Sequence, residues 1–371
     1  MEISLAAKSL EEHFRRSLGE CRLRGLTPLG RGAHGQGFLL ELDTREGVRR
    51  YVLKSVRPEG LGHDYPADRA GLFLLAYDTF GLLPAHVRAL DVLAEREDGS
   101  FFSVAGGREY YLVMEEVRGE PYMRDLEAMA GRDALRAEDR AKIRAMTEYL
   151  AGIHALKRES RSLYLRKIRD VIGHGECLMG VFDAYPEGVI PAGEMAAIEK
   201  KCVDWRLRLR KRTHRLCQIH GDFHPGNIWW EGRPERTGDG EQEDREDVRG
   251  WRGRMRLLDR SRGPWGEAAD DLTALSINYV FLSLKHRGAF TGACVEALKL
   301  FFDAYVRATG DTEVLEVLAP FFAFRGAVVA NPAFYPELGD EGRRLLFRFV
   351  HNVLDRRSFA PEEAEALVSG A

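Results

Sequence analysis

Apolar residues at Leu5, Leu10, Phe14 and Leu18 recur at helical spacing and predict an amphipathic helix over residues 2–18. The period then shortens. Phe38-Leu39-Leu40-Glu41-Leu42 and Tyr51-Val52-Leu53-Lys54-Ser55-Val56 read as two strands joined by the turn Asp43 to Gly47. A helix is predicted over 67–83, and strands over Phe101 to Val104 and Glu109 to Met114, joined through Gly106-Gly107. The last of these runs turns polar and is broken by Gly119 and Pro121, as expected of a buried strand leaving one lobe through a linker. From about residue 138 the steps become three and four: Ile143, Met146, Leu150 and Ile153 mark one buried helical face, with His154 packed beside it. Less regular helical text fills 160–200. Short strands follow at Leu216-Cys217-Gln218-Ile219, Ile228-Trp229-Trp230 and Met255-Arg256-Leu257-Leu258, then helices over 272–284, 294–308, 314–330 and 341–354. The pattern predicts an α+β protein of two lobes, strand-rich over residues 1–117 and helical over 118–371.

Composition narrows the function classes. The chain has 371 residues, 44% hydrophobic and 30% charged, with net charge −3. That balance argues against a dedicated nucleic-acid or membrane-surface protein. The first sixteen residues interleave Lys8, Glu11, Glu12, Arg15 and Arg16 with apolar positions, unlike a signal peptide, and no stretch of eighteen apolar residues occurs. Five widely spaced cysteines without a C-x-x-C pair read as reduced, buried thiols of a cytoplasmic protein. Six Arg or Lys between Arg206 and Arg215 read as a solvated helix face, and the charged, glycine-rich segment 231–253 as a surface loop.

The candidate chemistry centres on His220-Gly221-Asp222-Phe223-His224-Pro225-Gly226-Asn227, a Gly- and Pro-containing loop between two strands. Its Asp-x4-Asn spacing is that of the protein-kinase catalytic loop, in which the Asp takes the acceptor proton and the Asn holds magnesium. Upstream, Gly30, Gly32 and Gly35, with a fourth glycine at Gly37, lead into a strand and not a helix, which favours a phosphate-covering hairpin over a dinucleotide site. Lys54 on the second strand is then the phosphate lysine. Asp68 is the candidate acid to hold it, with Asp64 and Asp78 as rivals. The backbone from Glu116 to Arg118 is where an adenine edge would bond. A hairpin between Ile228–Trp230 and Met255–Leu258 would return Asp259 beside Asn227, and two hard oxygen donors next to phosphates suit magnesium.

The order of these motifs, and the His-Gly-Asp-x-His-x-x-Asn form of the loop above all, resembles the aminoglycoside phosphotransferase and choline kinase-like family, over about residues 28 to 280. The resemblance implies a two-lobed protein-kinase-like fold, with an antiparallel-sheet N-lobe and a mainly helical C-lobe. It implies an ATP- and magnesium-dependent phosphotransferase acting on a hydroxyl of a small molecule: an aminoglycoside, an amino alcohol or a sugar. Asp271, in Asp270-Asp271-Leu272, matches the family's loop-supporting aspartate, and His220 and His224 look like loop-shaping residues. The later helices would build the acceptor pocket, with Asp183, Glu187, Arg325, Tyr335 and Asp340 as candidate lining groups. The chain departs from the family pattern after Asp259, where Arg260-Ser261-Arg262 replaces an apolar start. A protein-directed kinase, or a nucleotide-binding regulator without turnover, are the competing readings; the absence of an Ala-Pro-Glu segment after Asp259 and the presence of Asp222, Asn227 and Asp259 weigh against them.

Overall fold

Alternation of inward and outward side chains builds the first sheet. Residues 7–31, 35–56, 62–80, 87–107, 117, 119–231, 254–260, 262 and 264–370 are described by a computed structural model of the chain. It divides into two units, Met1–Met114 and Glu115–Ala371.

In the first unit, helix α1 (Ala7–Leu18) buries Leu10 and His13. Strands β1 (Cys21–Arg31), β2 (Gly35–Thr44) and β3 (Gly47–Val56) form an antiparallel sheet in that order. Phe38, Leu40 and Leu42 alternate into the core, the two-residue period of a strand with one buried face. Helix α2 (Pro66–Phe80) follows, and β4 (Leu93–Glu95) pairs antiparallel with β5 (Phe101–Ser103). The sequence pattern missed β4, which is too short to show a period. The strand expected at Glu109 to Met114 lies outside the described residues, as does nearly all of the segment 231–253.

The second unit begins with β6 (Glu120–Pro121), α3 (Tyr122–Ala130), α4 (Ala137–His154), α5 (Arg161–Gly173), α6 (Leu178–Asp183) and α7 (Ala192–Leu209). Strands β7 (Cys217–Gln218), β8 (Ile228–Glu231), β9 (Arg254–Leu257) and β10 (Trp265–Gly266) come next. Helices α8 (Ala268–Arg287), α9 (Ala293–Thr309), α10 (Ala319–Ala330), α11 (Asp340–Asp355) and α12 (Ala364–Ser369) complete it. Helix α8 is buried from Ala268 to Leu284 because α3, α9, α10 and α11 pack around it. Its polar side chains are absorbed locally: the Thr273 hydroxyl donates to the Ala269 carbonyl at 2.8 Å and the Asn278 amide to Ala274 at 2.8 Å. The helix expected over 314–330 is two pieces, since Asp311 caps a 3₁₀ turn at Thr312–Glu316 and Pro320 opens α10. Among the described residues no helix is long and apolar enough to cross a membrane.

The basic run is not the uniform solvated face its composition suggests. Helix α7 ends at Leu209, and Arg215 is 4% exposed. Its Nε donates to both Glu267 oxygens at 3.0 Å, and its Nη1 and Nη2 to Asp311 at 2.8 and 2.9 Å. Two distant carboxylates thus bury a charge that the local text presents as surface.

Strand β8 leaves the candidate loop, and its partners fix it. Glu120 pairs with Trp230, and Ile228 with Leu257. Gly119, at φ +126°, lies so close that a Cβ there would sit 2.2 Å from the Trp230 carbonyl oxygen. Gly119→Ala is therefore expected to part β6 from β8 and cost about 3 kcal/mol, read as a lowered denaturation midpoint.

Candidate active site

The loop between β7 and β8 is shaped by its own sequence. Gly221 takes φ +88°, which a side chain rarely adopts, and this turns the chain so that two consecutive N–H groups face one acceptor. That acceptor is Asp271, fully buried in the first turn of α8: His220 N–H donates to Oδ2 and Gly221 N–H to Oδ1, each at 2.7 Å. His154 Nε2 lies 3.1 Å from the same Oδ2, and its Nδ1 lies 2.8 Å from the Tyr305 hydroxyl. With Nε2–H aimed at the carboxylate, Nδ1 accepts from the tyrosine. His154 is thus the packed histidine its position beside the apolar stripe implies.

Both loop histidines hold backbone. His220 Nδ1 accepts from Asp222 N–H at 3.2 Å, and His224 Nδ1 from Gly226 N–H at 3.1 Å. Burial lowers the His224 pKa more than the neighbouring Asp222 raises it, which keeps the ring neutral at neutral pH. Asn227 closes the loop: its N–H donates to His224 O at 2.9 Å and its amide nitrogen to Asp222 O at 3.0 Å. With the nitrogen committed, the amide oxygen is the atom left to face a cation.

Asp222 is 8% exposed. Burial raises its pKa, but Arg325, Arg262 and His224 together outweigh it, and the carboxyl is held below its ordinary range. The Arg325 guanidinium of α10 donates to Oδ1 at 2.5 Å, and Arg262 Nη1 lies 3.8 Å from the same oxygen. Asp222 is therefore an ionised carboxylate at neutral pH.

The β8–β9 hairpin returns the chain to this loop. Leu258 N–H donates to the Asn227 carbonyl at 2.9 Å, so Asp259 directly follows a residue bonded to Asn227. Asp259 is exposed and has φ +54°, the sole non-glycine residue with positive φ among the described residues. Such a conformation is held only where surrounding bonds fix it. Arg260 supplies them: its Nε and Nη2 donate to the Ile219 carbonyl at 3.0 and 2.8 Å, tying the segment after Asp259 to the chain between β7 and Asp222. The residue that departs from the family pattern is thus a clamp on the second candidate ligand.

In this unit the structure brings Asp222, Asn227 and Asp259 onto one assembly. Of the suggested lining groups, Arg325 contacts Asp222, Tyr335 is half-buried against Phe281 at 5.0 Å between ring centres, and Asp183, Glu187 and Asp340 are exposed. In the first unit, Gly30 and Gly35 lie at the facing ends of β1 and β2, and Lys54 is exposed on β3 opposite Gly37. Asp68 stands in the first turn of α2, where its Oδ2 accepts from Tyr65 N–H at 2.8 Å. Gly32, Glu116 and Arg118 lie outside the described residues.

The sequence reading took Arg325 for a pocket-lining group and did not connect it with Asp270 and Lys167 behind Asp222. Arg325 Nη2 also donates to Asp270 Oδ1 at 2.8 Å, and Lys167 of α5 pairs with Asp270 Oδ2. Asp270 is held down to about 2, burial raising it and Lys167 and Arg325 lowering it by more. The folded value lies below the unfolded one, near 3.9. Stability from Asp270 is thus present above about pH 4 and lost as pH falls towards 2. Acid denaturation followed by circular dichroism is expected to lose this component in Asp270→Asn. A signal for Arg325 existed: it is the lone charge in the apolar run from Ala319 to Ala330.

A model of the phosphotransferase enzyme family, APH, matches residues 25–238. This chain belongs to that family. As a member it is a phosphotransferase acting on a hydroxyl group, and the match includes the whole loop from His220 to Asn227. A comparison with the curated proteins finds no match. Solved structures similar to this phosphotransferase include an ethanolamine kinase of Plasmodium vivax, at 10% identity over 97% of this chain and 85% of that one, TM-score 0.35. The GDP complex of aminoglycoside 2'-phosphotransferase-IIIa matches at 10% identity over 98% of each chain, TM-score 0.33. A glucosamine kinase matches at 14% identity over 95% and 92%, TM-score 0.29.

Proposed function

We propose that this phosphotransferase transfers the γ-phosphoryl group of ATP, with magnesium, to a hydroxyl of a small molecule of the amino alcohol, sugar or aminoglycoside type. The observation that carries the reading is the single assembly of Asp222, Asn227 and Asp259: one ionised carboxylate, an amide that donates to the main-chain carbonyl of the same aspartate and keeps its oxygen to face a cation, and a second carboxylate delivered by the adjoining hairpin.

Phosphoryl transfer asks little covalent chemistry of a protein; it asks for alignment and charge. Asp222 orients the acceptor hydroxyl and takes its proton as the new O–P bond forms. The bond from Pγ to the bridging oxygen breaks, and its electron pair leaves on ADP. Asn227, through its amide oxygen, and Asp259 would hold magnesium, which when bound neutralises charge on the phosphates. Among the described residues no group of three or more His, Cys, Asp or Glu side chains gathers as a metal cage. An amide and one carboxylate, completed by phosphate and water oxygens, suit magnesium. The backbone N–H groups of the Gly30–Gly37 hairpin and Lys54 are assigned to the nucleotide phosphates, Asp68 to supporting Lys54, and the Glu116–Arg118 backbone to the adenine.

Lys54→Ala is expected to weaken ATP binding about tenfold or more, measured by isothermal calorimetry; unchanged affinity and rate would count against the hairpin assignment. Thermal-shift titration with ATP and magnesium, run beside an ADP-release assay, tests the function as a whole. A shift together with ADP release supports an enzyme. A shift without release, across an acceptor panel of aminoglycosides, amino alcohols, sugars and nucleosides, supports the nucleotide-binding regulator instead.

A further inference from the structure

Arg325 is 5% exposed and makes three fixed bonds. Nη1 donates to Asp222 Oδ1 at 2.5 Å, while Nη2 donates to the Gly221 carbonyl at 2.9 Å and to Asp270 Oδ1 at 2.8 Å. The guanidinium also packs on the ring of Phe324, its carbon 4.6 Å from the ring centre. Asp270 is itself 1% exposed and tied to Lys167 from α5. A planar fork held at three points and on one face cannot turn.

The pattern is asymmetric about the base. Both arginines approach Asp222 at Oδ1, Arg325 in direct contact and Arg262 at 3.8 Å. Among the described residues Oδ2 has loose neighbours, Asn227 Nδ2 at 3.5 Å and His224 Nε2 at 3.9 Å. One oxygen is clamped and the other is left able to accept.

We propose that Arg325 is the positioning residue for Asp222: by gripping Oδ1 and the carbonyl of the preceding residue together, it fixes the carboxylate so that Oδ2 meets the acceptor hydroxyl. The proposal rests on the phosphotransferase reading of Asp222. It gives α10 a part in the reaction, since this helix carries the clamp from far along the chain. A guanidinium suits the task because it holds a side-chain oxygen and a main-chain oxygen at once; a lysine, as a point charge on a flexible stem, cannot fix the plane in the same way.

A merely structural ion pair would stabilise the fold without acting through the base, and a double-mutant cycle separates the two. Arg325→Met, Arg325→Lys, Asp222→Asn and the double variant Asp222→Asn with Arg325→Met are assayed by ADP release from magnesium-ATP, with water and then with each member of the acceptor panel. Displacing the base by an ångström is expected to lower kcat for Arg325→Met about a hundredfold, with KM for ATP unchanged. Arg325→Lys should recover part of the loss. The double variant should be no slower than Asp222→Asn alone, because the arginine has nothing left to position.

Wild-type kcat in Arg325→Met, or a loss that persists in full in the Asp222→Asn background, overturns the proposal. If Arg325→Met does not fold, Arg325→Lys decides: about a tenfold fall in kcat at unchanged KM supports positioning, and wild-type kcat overturns it. A wild-type chain that binds ATP but releases no ADP with any acceptor sinks the reading of Asp222 and this proposal together. An active wild type with unaffected arginine variants sinks the positioning role alone.

Discussion

Asp222→Asn is expected to lower turnover by about 10³ while leaving the thermal shift produced by magnesium-ATP in place, because general-base catalysis contributes roughly 10²–10⁴. The substitution keeps shape and removes the proton acceptor. Arg325 then faces an amide oxygen in place of a carboxylate, so the loop retains its bonds to Asp271 and Asn227. The side chain is ionised in the folded protein, with Arg325 and Arg262 offsetting the cost of burial, so a neutral replacement removes the proposed base in the form it takes at neutral pH. Steady-state ADP release with a confirmed acceptor checks the outcome, and full turnover would remove Asp222 from the role.

The largest effect on stability is expected at Asp271. This fully buried carboxylate receives His220 N–H, Gly221 N–H and His154 Nε2. Asp271→Ala leaves three buried polar groups without their partner, at roughly 1–3 kcal/mol for each group. A loss of about 4 kcal/mol is a moderate sum for such a cluster, and in a protein of this size it moves the midpoint by on the order of 10 °C. Turnover should fall with it, since the loop that carries Asp222 loses its anchor. Differential scanning calorimetry reads the first effect and ADP release the second; a midpoint within a degree or so of wild type would show that the loop is held by other means.

What could be read along the chain, and what could not, follows the range of each interaction. Asp222 and Asn227 were legible because one short loop carries both and its glycine and proline exclude regular structure. Asp259 was legible because a hairpin pairs strands by simple return, and the register of Ile228 with Leu257 brings it back. Asp271 needed the family resemblance: nothing local distinguishes a loop-supporting aspartate from one that complements a helix N-terminus. Arg325 stood out as a lone charge in an apolar run, but its partnership with Lys167 and Asp270 had no such route, since the three stand on α10, α5 and α8 and meet only when those helices pack. Arg215 was misread for the same reason, its carboxylates coming from Glu267 and Asp311. Strand β4 failed on length alone, as three residues carry too little pattern to declare a period.

The departure after Asp259 has acquired a physical reading. An apolar residue there would contribute packing; Arg260 instead bonds the Ile219 carbonyl twice, so the backbone around the left-handed Asp259 is held by hydrogen bonds to the residue that follows β7 and leads into the candidate loop. The two candidate ligands and Asp222 therefore share one short stretch of support.

Transfer of phosphate from ATP labelled in its γ-position, across aminoglycosides, amino alcohols, sugars and nucleosides, tests the central claim most directly. The account predicts label on the hydroxyl of a small-molecule acceptor, and its loss with Asp222→Asn. Label that stays on ATP with every acceptor, or that moves to a polypeptide in preference to any small molecule, would contradict it.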